Sequence, residues 1–570
     1  MLDCLEEEAE DGLMKADIVL MPPDDGNESA EDSGDEDQCG NVNNLSGKQL
    51  VAQAEGTFQK KGFRVEVNPG HNDNALASTA RANERERKWV KKDLVSNFTS
   101  DFTPPTKFSE VPSDPVSCFE LFLDDEVWNF LSEMCKIYAT KDKGNHNFDI
   151  SVSDLKCFSA ILYLSGYVRV PRWRMFWEVG SESYNESVAK AMRRNRFEQI
   201  KQNIHCSDNE KLKPNDKFAK VRPLIDLLNK RFLTYASMNQ EMSIDESMLP
   251  YYGKHGAKQF LKGKPIRFGY KMWCLCEPFG YLIQCDPYQG RQENSYKELG
   301  IGASTVLGLV DRLPKKTKFK IYADRFFSSI QLVDELNKRC IGFTGTIMKN
   351  RLKNCPVKET SKKMRGSYEF VTDDKNECTV TSWHDNRVVL MISNSDPVFP
   401  IRNCSRWISN EKKKMTIDQP NVIAQYNKNM GGVDRMDQNI ENLRIGIRSK
   451  KWWWPVFSFC LESAMHNAWQ LYRRSHQNKE MDYLSFRRNV VQIYLQKYGT
   501  PPSTGGRPKT SKPLQSRVFD QIRYDRTDHW IVQAQKQNRC ALCQKNTTKM
   551  CEKCNVNLHD VCFKSYHIHT

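Results

Sequence analysis

MGGVDRMDQN, residues Met430 to Asn439, places two carboxylates three residues apart directly after a glycine pair. If Gly431 and Gly432 close an irregular segment and a helix starts near Val433, Asp434 and Asp437 fall on neighbouring positions of one helical face. By itself such a start fits simple capping, since acids in a first turn satisfy free backbone N–H groups and suit the helix dipole. A different role requires carboxylates elsewhere in the chain that need this helix as a partner.

Two such carboxylates stand upstream. MSIDESMLPYY alternates and reads as a strand carrying Asp245, and RFGYKMWCLCEPFGYLIQCDPYQG reads as two strands joined at Glu277 to Gly280. KFKIYADRFFSS has an apolar strand running into Asp324, and SIQLVDELNKR and GFTGTIM follow as helix and strand. With a helix around Ser304 to Arg312, the order predicts a mixed sheet flanked by helices. Where the first and fourth strands are neighbours, their ends bring Asp245 and Asp324 within reach of one metal pair. The helix with Asp434 and Asp437 completes the site. Hard oxygen ligands suit Mg²⁺ or Mn²⁺. Two such ions, about 3.5–4 Å apart, activate an attacking oxygen and stabilise the leaving one in phosphodiester cleavage and transfer.

This sheet region, 241–439, lies between two helical ones. In 106–240, VSCFELFLDDEVWNFLSEMCKIYA repeats apolar residues at three and four, LKCFSAILYLSGYV reads as a buried helix, and AKAMRRNRFEQIKQNIHC is amphipathic and basic. FAKVRPLIDLLNKRF is a further helix, bent or started by Pro223. In 440–499, VFSFCLESAMHNAWQLYRR and MDYLSFRRNVVQIYLQKY continue the pattern, so one helical domain is interrupted by the sheet. Within the sheet region, SYEFVTDD, ECTVTSWHDN and RVVLMIS predict a separate small β insertion at about 363–420.

Charge divides the chain sharply. Residues 1–40 hold fifteen acids and one lysine, Lys15, a net −14, so with +14 overall the remaining 530 residues carry +14 − (−14) = +28. Such a basic body implies a polyanionic partner, double-stranded DNA above all. Residues 1–105, acidic and without periodic apolar pattern, are expected to be disordered, with RERKWVKK, Arg85 to Lys92, as a basic import or backbone-binding patch. No apolar run approaches the ~18 residues of a membrane helix and the N-terminus does not resemble a secretory signal, so an intracellular protein without a membrane partner is expected.

The phosphate-contact candidates are Arg193, Arg194, Lys262, Lys264, Arg267, Lys450 and Lys451, with Trp452 able to stack on an exposed base. A basic Pro/Gly/Ser linker, 500–536, adds GRPK, whose Arg507 and Lys509 have the composition of a minor-groove arm. The same residues also fit a solvated face, and the tryptophans a core.

Cysteines are scattered singly until residue 540, then cluster. In 537–570 the ligand types come in four pairs: Cys540 and Cys543, Cys551 and Cys554, His559 and Cys562, His567 and His569. Interleaved pairing gives two tetrahedral structural Zn²⁺ sites, a cross-brace. Too little apolar residue remains in this segment to fold it without metal.

SIDESMLPYYGKHGAKQFLKGKPIRFGYK, YADRFFSSIQLVDEL, WHDN at Trp383 to Asn386, YNKNMGGVDRMDQNI and RSKKWWWP, in this order, resemble the successive signatures of the piggyBac transposase family. The likeness runs from about Phe119 to the C-terminus. It implies an α+β multidomain protein: an RNase H-like catalytic domain with a β insertion, set within a helical dimerisation and DNA-binding domain, followed by the zinc module. It also implies a nuclear homodimer that moves DNA by cut-and-paste transposition at TTAA targets, or a domesticated DNA-binding or chromatin protein derived from such a transposase. Residue by residue, the family's catalytic acids fall on Asp245, Asp324 and Asp434, with Asp437 as an additional acid. Arg325 stands where the family usually has Asn.

Overall fold

The computed structural model describes the backbone of residues 13–20, 54–60 and 63–67, then residues 87–98 and 102–104, and the chain from 111 to 568 except 179, 181, 261–265, 291–295, 353, 359, 362, 409–411, 475–479, 502–517 and 519. These residues fall into two units, 1–501 and 502–570.

Disorder through residue 105 does not hold where the chain is described. Leu13–Leu20 (β1), Ala54–Lys60 (β2) and Phe63–Val67 (β3) form an antiparallel sheet. Trp89–Val90 (β4) pairs with Thr372 and Asp373, Leu94 and Phe98 are buried, and Arg87 forms ion pairs with Asp334 and Asp373. From Arg87 to Lys92 this stretch therefore lines a sheet edge, and its composition hid two apolar residues with strand propensity, Trp89 and Val90.

Helices Pro115–Glu120 (α1), Asp125–Lys141 (α2), Val152–Leu164 (α3), Glu186–Ala191 (α4), Arg194–Asn203 (α5) and Arg222–Tyr235 (α6) come first. Their starts follow local chemistry: Asp114 and Asp124 cap α1 and α2, Ser151 and Asp154 form a capping box on α3, and Pro223 lies in the first turn of α6, so it begins that helix.

The strands are Glu241–Pro250 (β5), Gln259–Phe260 (β6), Phe268–Cys276 (β7) and Leu282–Pro287 (β8), then Lys320–Ala323 (β9) and Gly342–Thr346 (β10). Gly300–Val310 (α7) and Ile330–Lys338 (α8) lie on either side of β9 in sequence. Tyr368–Asp373 (β11), Thr379–His384 (β12), Val388–Ser393 (β13), Arg402–Ile408 (β14) and Lys413–Gln419 (β15) follow. They precede Asn421–Asn429 (α9), Gly432–Asn442 (α10), Trp454–Arg474 (α11) and Tyr483–Tyr498 (α12).

One large mixed sheet runs β4-β11-β12-β13-β10-β9-β5-β7-β6, with β8 also paired to β7. Strands β5, β9 and β10 are parallel, and the other pairs are antiparallel. The expected separate insertion is thereby corrected. β13 pairs with β10 from Thr344↔Ser393, so β11, β12 and β13 prolong the main sheet, and only β14 and β15 form a ribbon of their own. Alternation identified these strands but could not name their partner, and the open edge of β10 supplied one.

Helices from both ends of the chain enclose the sheet in a common core. Tyr163 of α3 donates to Leu461 O of α11 at 2.7 Å, and the buried guanidinium of Arg487 on α12 donates to Tyr163 O at 3.1 and 2.9 Å. At the outer edge of β8, two side-chain amides imitate a missing strand. Asn229 of α6 exchanges two hydrogen bonds with Cys285, at 2.8 and 2.9 Å, and Asn467 of α11 does so with Leu282, at 2.7 and 2.9 Å. Asn467→Leu should therefore cost about 2–5 kcal/mol, because it orphans a buried N–H and C=O. Urea unfolding checks this, and a loss below about 0.5 kcal/mol would remove the edge-capping role. Among the described residues no helix is long and apolar enough to cross a membrane.

The second unit holds Asp520–Arg523 (α13), the antiparallel strands Ile531–Arg539 (β16), Asn546–Cys551 (β17) and Val556–Asn557 (β18), and Asp560–His567 (α14). Its small core is largely sulfur: Cys540, Cys551, Cys554 and Cys562 with Val556 and Leu558.

Candidate active site and metal centres

Parallel pairing of β5 with β9 aligns Ile244 with Ala323, so the next residues, Asp245 within β5 and Asp324 just past the end of β9, stand side by side. Asp245 Oδ1 accepts from the Glu246 amide at 2.8 Å, and Asp324 Oδ1 from the Phe326 amide at 2.8 Å. Helix α10 brings the remaining acids. Asp437 accepts from Ser247 Oγ on β5 at 2.6 Å, while Asp434 is exposed in the first turn. Gly431 is the N-cap and supplies no side-chain cap, while Asp434 stands in the first turn, where a carboxylate suits the helix dipole. The helix start is held close by its glycine: a Cβ on Gly432 would lie 2.5 Å from both Glu277 O and Ser243 Oγ. Arg435 donates to Pro278 O, tying α10 to the β7–β8 turn.

Burial pushes the Asp245 carboxyl well above its ordinary range, with Glu246 and Asp324 adding repulsion. Asp324 is raised by burial and then by Glu246, against the Phe326 amide, Arg325 and Lys271. Arg325 is thus a partial counter-charge beside the acids. Lys271 is 4 % exposed, its ammonium 4.6 Å from the Trp273 ring centre and 5.3 Å from that of Phe326. Tyr426 of α9 faces the same acids: its phenol is raised by burial, then by Asp324, Asp245 and Asp434, against a bond with Thr346. Glu246 and Tyr426 were not singled out in the sequence. Glu246 sits beside Asp245 in SIDES, but strict alternation turns it to the other face. Tyr426 shares YNKNMGG with the glycine pair, the nearest signal to it.

This donor set is all oxygen, and its mutual repulsion fits divalent cations such as Mg²⁺ or Mn²⁺. Asp245 and Asp324 carry this donor set at adjacent strands, and Asp434 stands exposed in the first turn of α10. Among the described residues, the groups whose ligand atoms gather within 4.8 Å are two others, both in the second unit.

These two are Cys540, Cys543, His559 and Cys562, and His529, Cys551, Cys554 and His567. They interleave along the chain. His569 lies outside the described residues, and His529 completes the second group: its Nδ1 is 3.4 Å from both Cys551 Sγ and Cys554 Sγ. The module therefore reaches back into the stretch read as linker, 500–536. Each imidazole is anchored through its outer nitrogen. His529 Nε2 meets Asp525 Oδ1 at 3.0 Å, His559 Nε2 meets Asn546 O at 3.0 Å, and His567 Nδ1 meets Arg523 O at 2.9 Å. His567 Nε2 is left buried with no hydrogen-bond partner, as a metal ligand requires. Burial and the neighbouring Cys551 push the Cys554 thiol up to about 12, a repulsion that a cation relieves.

Of the phosphate-contact candidates, Arg193, Arg194, Arg267 and Lys450 are exposed, and Lys262, Lys264, Arg507 and Lys509 lie outside the described residues. Lys451 donates to Ile204 O at 2.6 Å and Gln202 O at 3.1 Å, closing the end of α5. Trp452 is corrected: at 5 % exposed it stacks on His255, centroids 4.0 Å apart, so it belongs to the core and cannot receive a base. Trp452→Ala should cost about 3–5 kcal/mol in urea unfolding, the usual range for a large buried ring, and leave the salt dependence of DNA binding unchanged.

A family model described as Transposase IS4 matches residues 114–469. Human PiggyBac transposable element-derived protein 3 is 40% identical over 98% of this chain and 97% of its own length. Human PiggyBac transposable element-derived protein 2 is 36% identical over 97% of this chain and 93% of its own. Among solved structures, the cryo-EM structure of a piggyBac transposase synaptic complex with hairpin DNA superimposes with a TM-score of 0.57 at 21% identity. That likeness covers 81% of this chain and 99% of the other, and it is one of fold.

Proposed function

The chain belongs to the family of piggyBac transposable element-derived proteins, and from that footing we propose that it is a nuclear DNA transposase that cuts and rejoins double-stranded DNA at TTAA targets. The observation that carries this reading is the alignment of Asp245 with Asp324 at adjacent parallel strands, with α10 held to β5 by the Ser247–Asp437 bond. Strands β8-β7-β5-β9-β10 run in the order expected of an RNase H-like catalytic domain, third-second-first-fourth-fifth, with the acids on the first and fourth.

Asp245, Asp324 and Asp434 would hold two Mg²⁺ or Mn²⁺ ions. Bound there, the ions supply a nucleophilic oxygen and stabilise the leaving one. Asp437, bonded to Ser247, fixes the rotation of α10 and so the direction of Asp434. Tyr426 closes one side of the acid cluster. The second unit takes two structural Zn²⁺ ions and presents a terminal DNA-binding module, and pairing of two DNA ends calls for a homodimer.

A second reading, a DNA-binding or chromatin protein that no longer transposes, draws on one observation: Arg325 places a fixed cation against Asp324, where it competes with a metal ion. Mg²⁺-dependent nicking and joining of DNA carrying the cognate ends separates the two. Turnover by the wild type establishes the transposase, whereas tight, salt-sensitive binding without any cleavage on verified ends assigns the second reading.

A further inference from the structure

A cleft of about 320 Å³ opens on the helical part of the first unit, between α2, α5 and the segment leading into α11. Lys143, Arg174, Lys201, Lys450 and Lys451 line it against a single acid, Glu198, a balance of 5 − 1 = +4. Arg174 engages Glu198 at 2.8 Å, and Lys143 and Lys451 hold their ammonium groups over the cleft by donating to Gln202 O at 2.7 and 3.1 Å. Two aromatic rings stand among these cations. Trp173 is half-buried, with Arg174 at 5.3 Å and Lys201 at 5.7 Å from its centre. Tyr138 has Lys143 and Lys451 at 5.1 and 5.2 Å and is braced by His205, stacked at 4.2 Å.

Cations around a phosphate-sized recess and a flat ring at its wall are the two parts of a nucleotide site, one for the phosphate and one for the base. In a duplex the base faces are already stacked, so a recess of this kind selects a nucleotide that is not paired. The recess does not end there. A second depression, lined by Arg193 and Arg196, shares Glu198 and Gln202 with the first. From Arg193 to Lys201 the chain climbs about 12 Å at 1.5 Å per residue, which gives the site the length of more than one nucleotide.

We propose that this cleft binds an unpaired stretch of a DNA strand, seating one base against Trp173 and its phosphates on Lys201 and Lys450. The inference rests on the reading of the chain as a DNA-processing protein, but it needs neither cleavage nor the acids. Opening DNA at a transposon end exposes such a strand, and the cleft gives it a place outside the acid site.

The test uses the full chain without added divalent ions, with fluorescein-labelled oligo-dT of twelve nucleotides, a hairpin duplex, and free dTMP as competitor. The double variant Lys201→Ala/Lys450→Ala should weaken oligo-dT binding at least about tenfold and lower its log–log salt slope by about 1.4. Trp173→Leu should weaken it about tenfold with the slope unchanged, as loss of one stacked base does. Duplex binding should change less than about twofold in Trp173→Leu, and in the lysine pair it should fall by clearly less than oligo-dT binding does. Equal losses for single strand and duplex, or wild-type oligo-dT affinity in the lysine pair, would overturn the proposal. Displacement by micromolar dTMP would also overturn it, in favour of a free-nucleotide pocket. If Trp173→Leu does not fold, the lysine pair, Lys201 half-buried and Lys450 exposed, decides alone. A failure of nicking with intact oligo-dT selectivity counts against the transposase and not against this site.

Discussion

Replacing Asp245 or Asp324 by alanine should lower Mg²⁺-dependent strand cleavage by about a thousandfold or more, equivalent to roughly 4 kcal/mol of transition-state stabilisation. Binding of duplex DNA in Ca²⁺ should stay within about twofold, because neither residue lies among the exposed cations. The same variants carry a second, opposite signature in stability. The carboxyl of each is raised above the ordinary range by burial and by neighbouring acids. A raised acid holds its proton more tightly when folded. The folded state is therefore favoured as pH falls and loses stability as pH rises from the ordinary carboxylate value, near 4, through the raised one. At pH 7 without Mg²⁺ both acids are a liability. Asp324→Asn should raise stability by about 0.5–2 kcal/mol, and the wild type should gain more from Mg²⁺ than the variant does. A variant that is both inactive and less stable without Mg²⁺ would mean that these carboxylates hold the fold together, and the metal site would have to be sought elsewhere.

What the sequence made legible was set by period and by residue type. Asp245 and Asp324 stand on short alternating strands with turn signals on both sides, and parallel pairing put them next to one another. Asp434 and Asp437 stand three apart on a helix announced by its glycines, although the segment before the pair is the helix α9 and Gly432 serves close approach to Glu277 and Ser243. What was not legible depended on long-range pairing. The strands β11 to β13 alternate as any insertion would, and only the open edge of β10 made them part of the main sheet. Trp452 follows two lysines, the composition of a stacking site, yet His255 stacks on it and Phe218 packs edge-on beside it. Tyr426 has no motif of its own, since its role comes from where α9 packs. A single histidine eleven residues before Cys540, His529, obeys no ligand spacing, whereas His569 makes an apparent pair with His567.

That exchange of histidines gives the largest structural effect to be expected. His529→Ala should drop the zinc content of the full chain from two ions to one, and His569→Ala should leave it at two, both read by metal analysis of the purified protein. The reason is geometric. His529 reaches Cys551 and Cys554 with one nitrogen and is fixed by Asp525 and Ile522 through the other, while its ring lies 4.0 Å from that of His567. Removing it deletes a ligand and leaves two thiols and a buried imidazole nitrogen without a counterpart. Apparent zinc binding in small modules is of the order of 10–16 kcal/mol, far more than a core of four cysteines, Val556 and Leu558 can supply. Loss of one ion should therefore unfold residues 518–568 locally, seen as rapid proteolysis there, while the first unit, with its own core, keeps its unfolding midpoint. Two zinc ions in His529→Ala together with one in His569→Ala would reverse the assignment and return the module to residues 537–570.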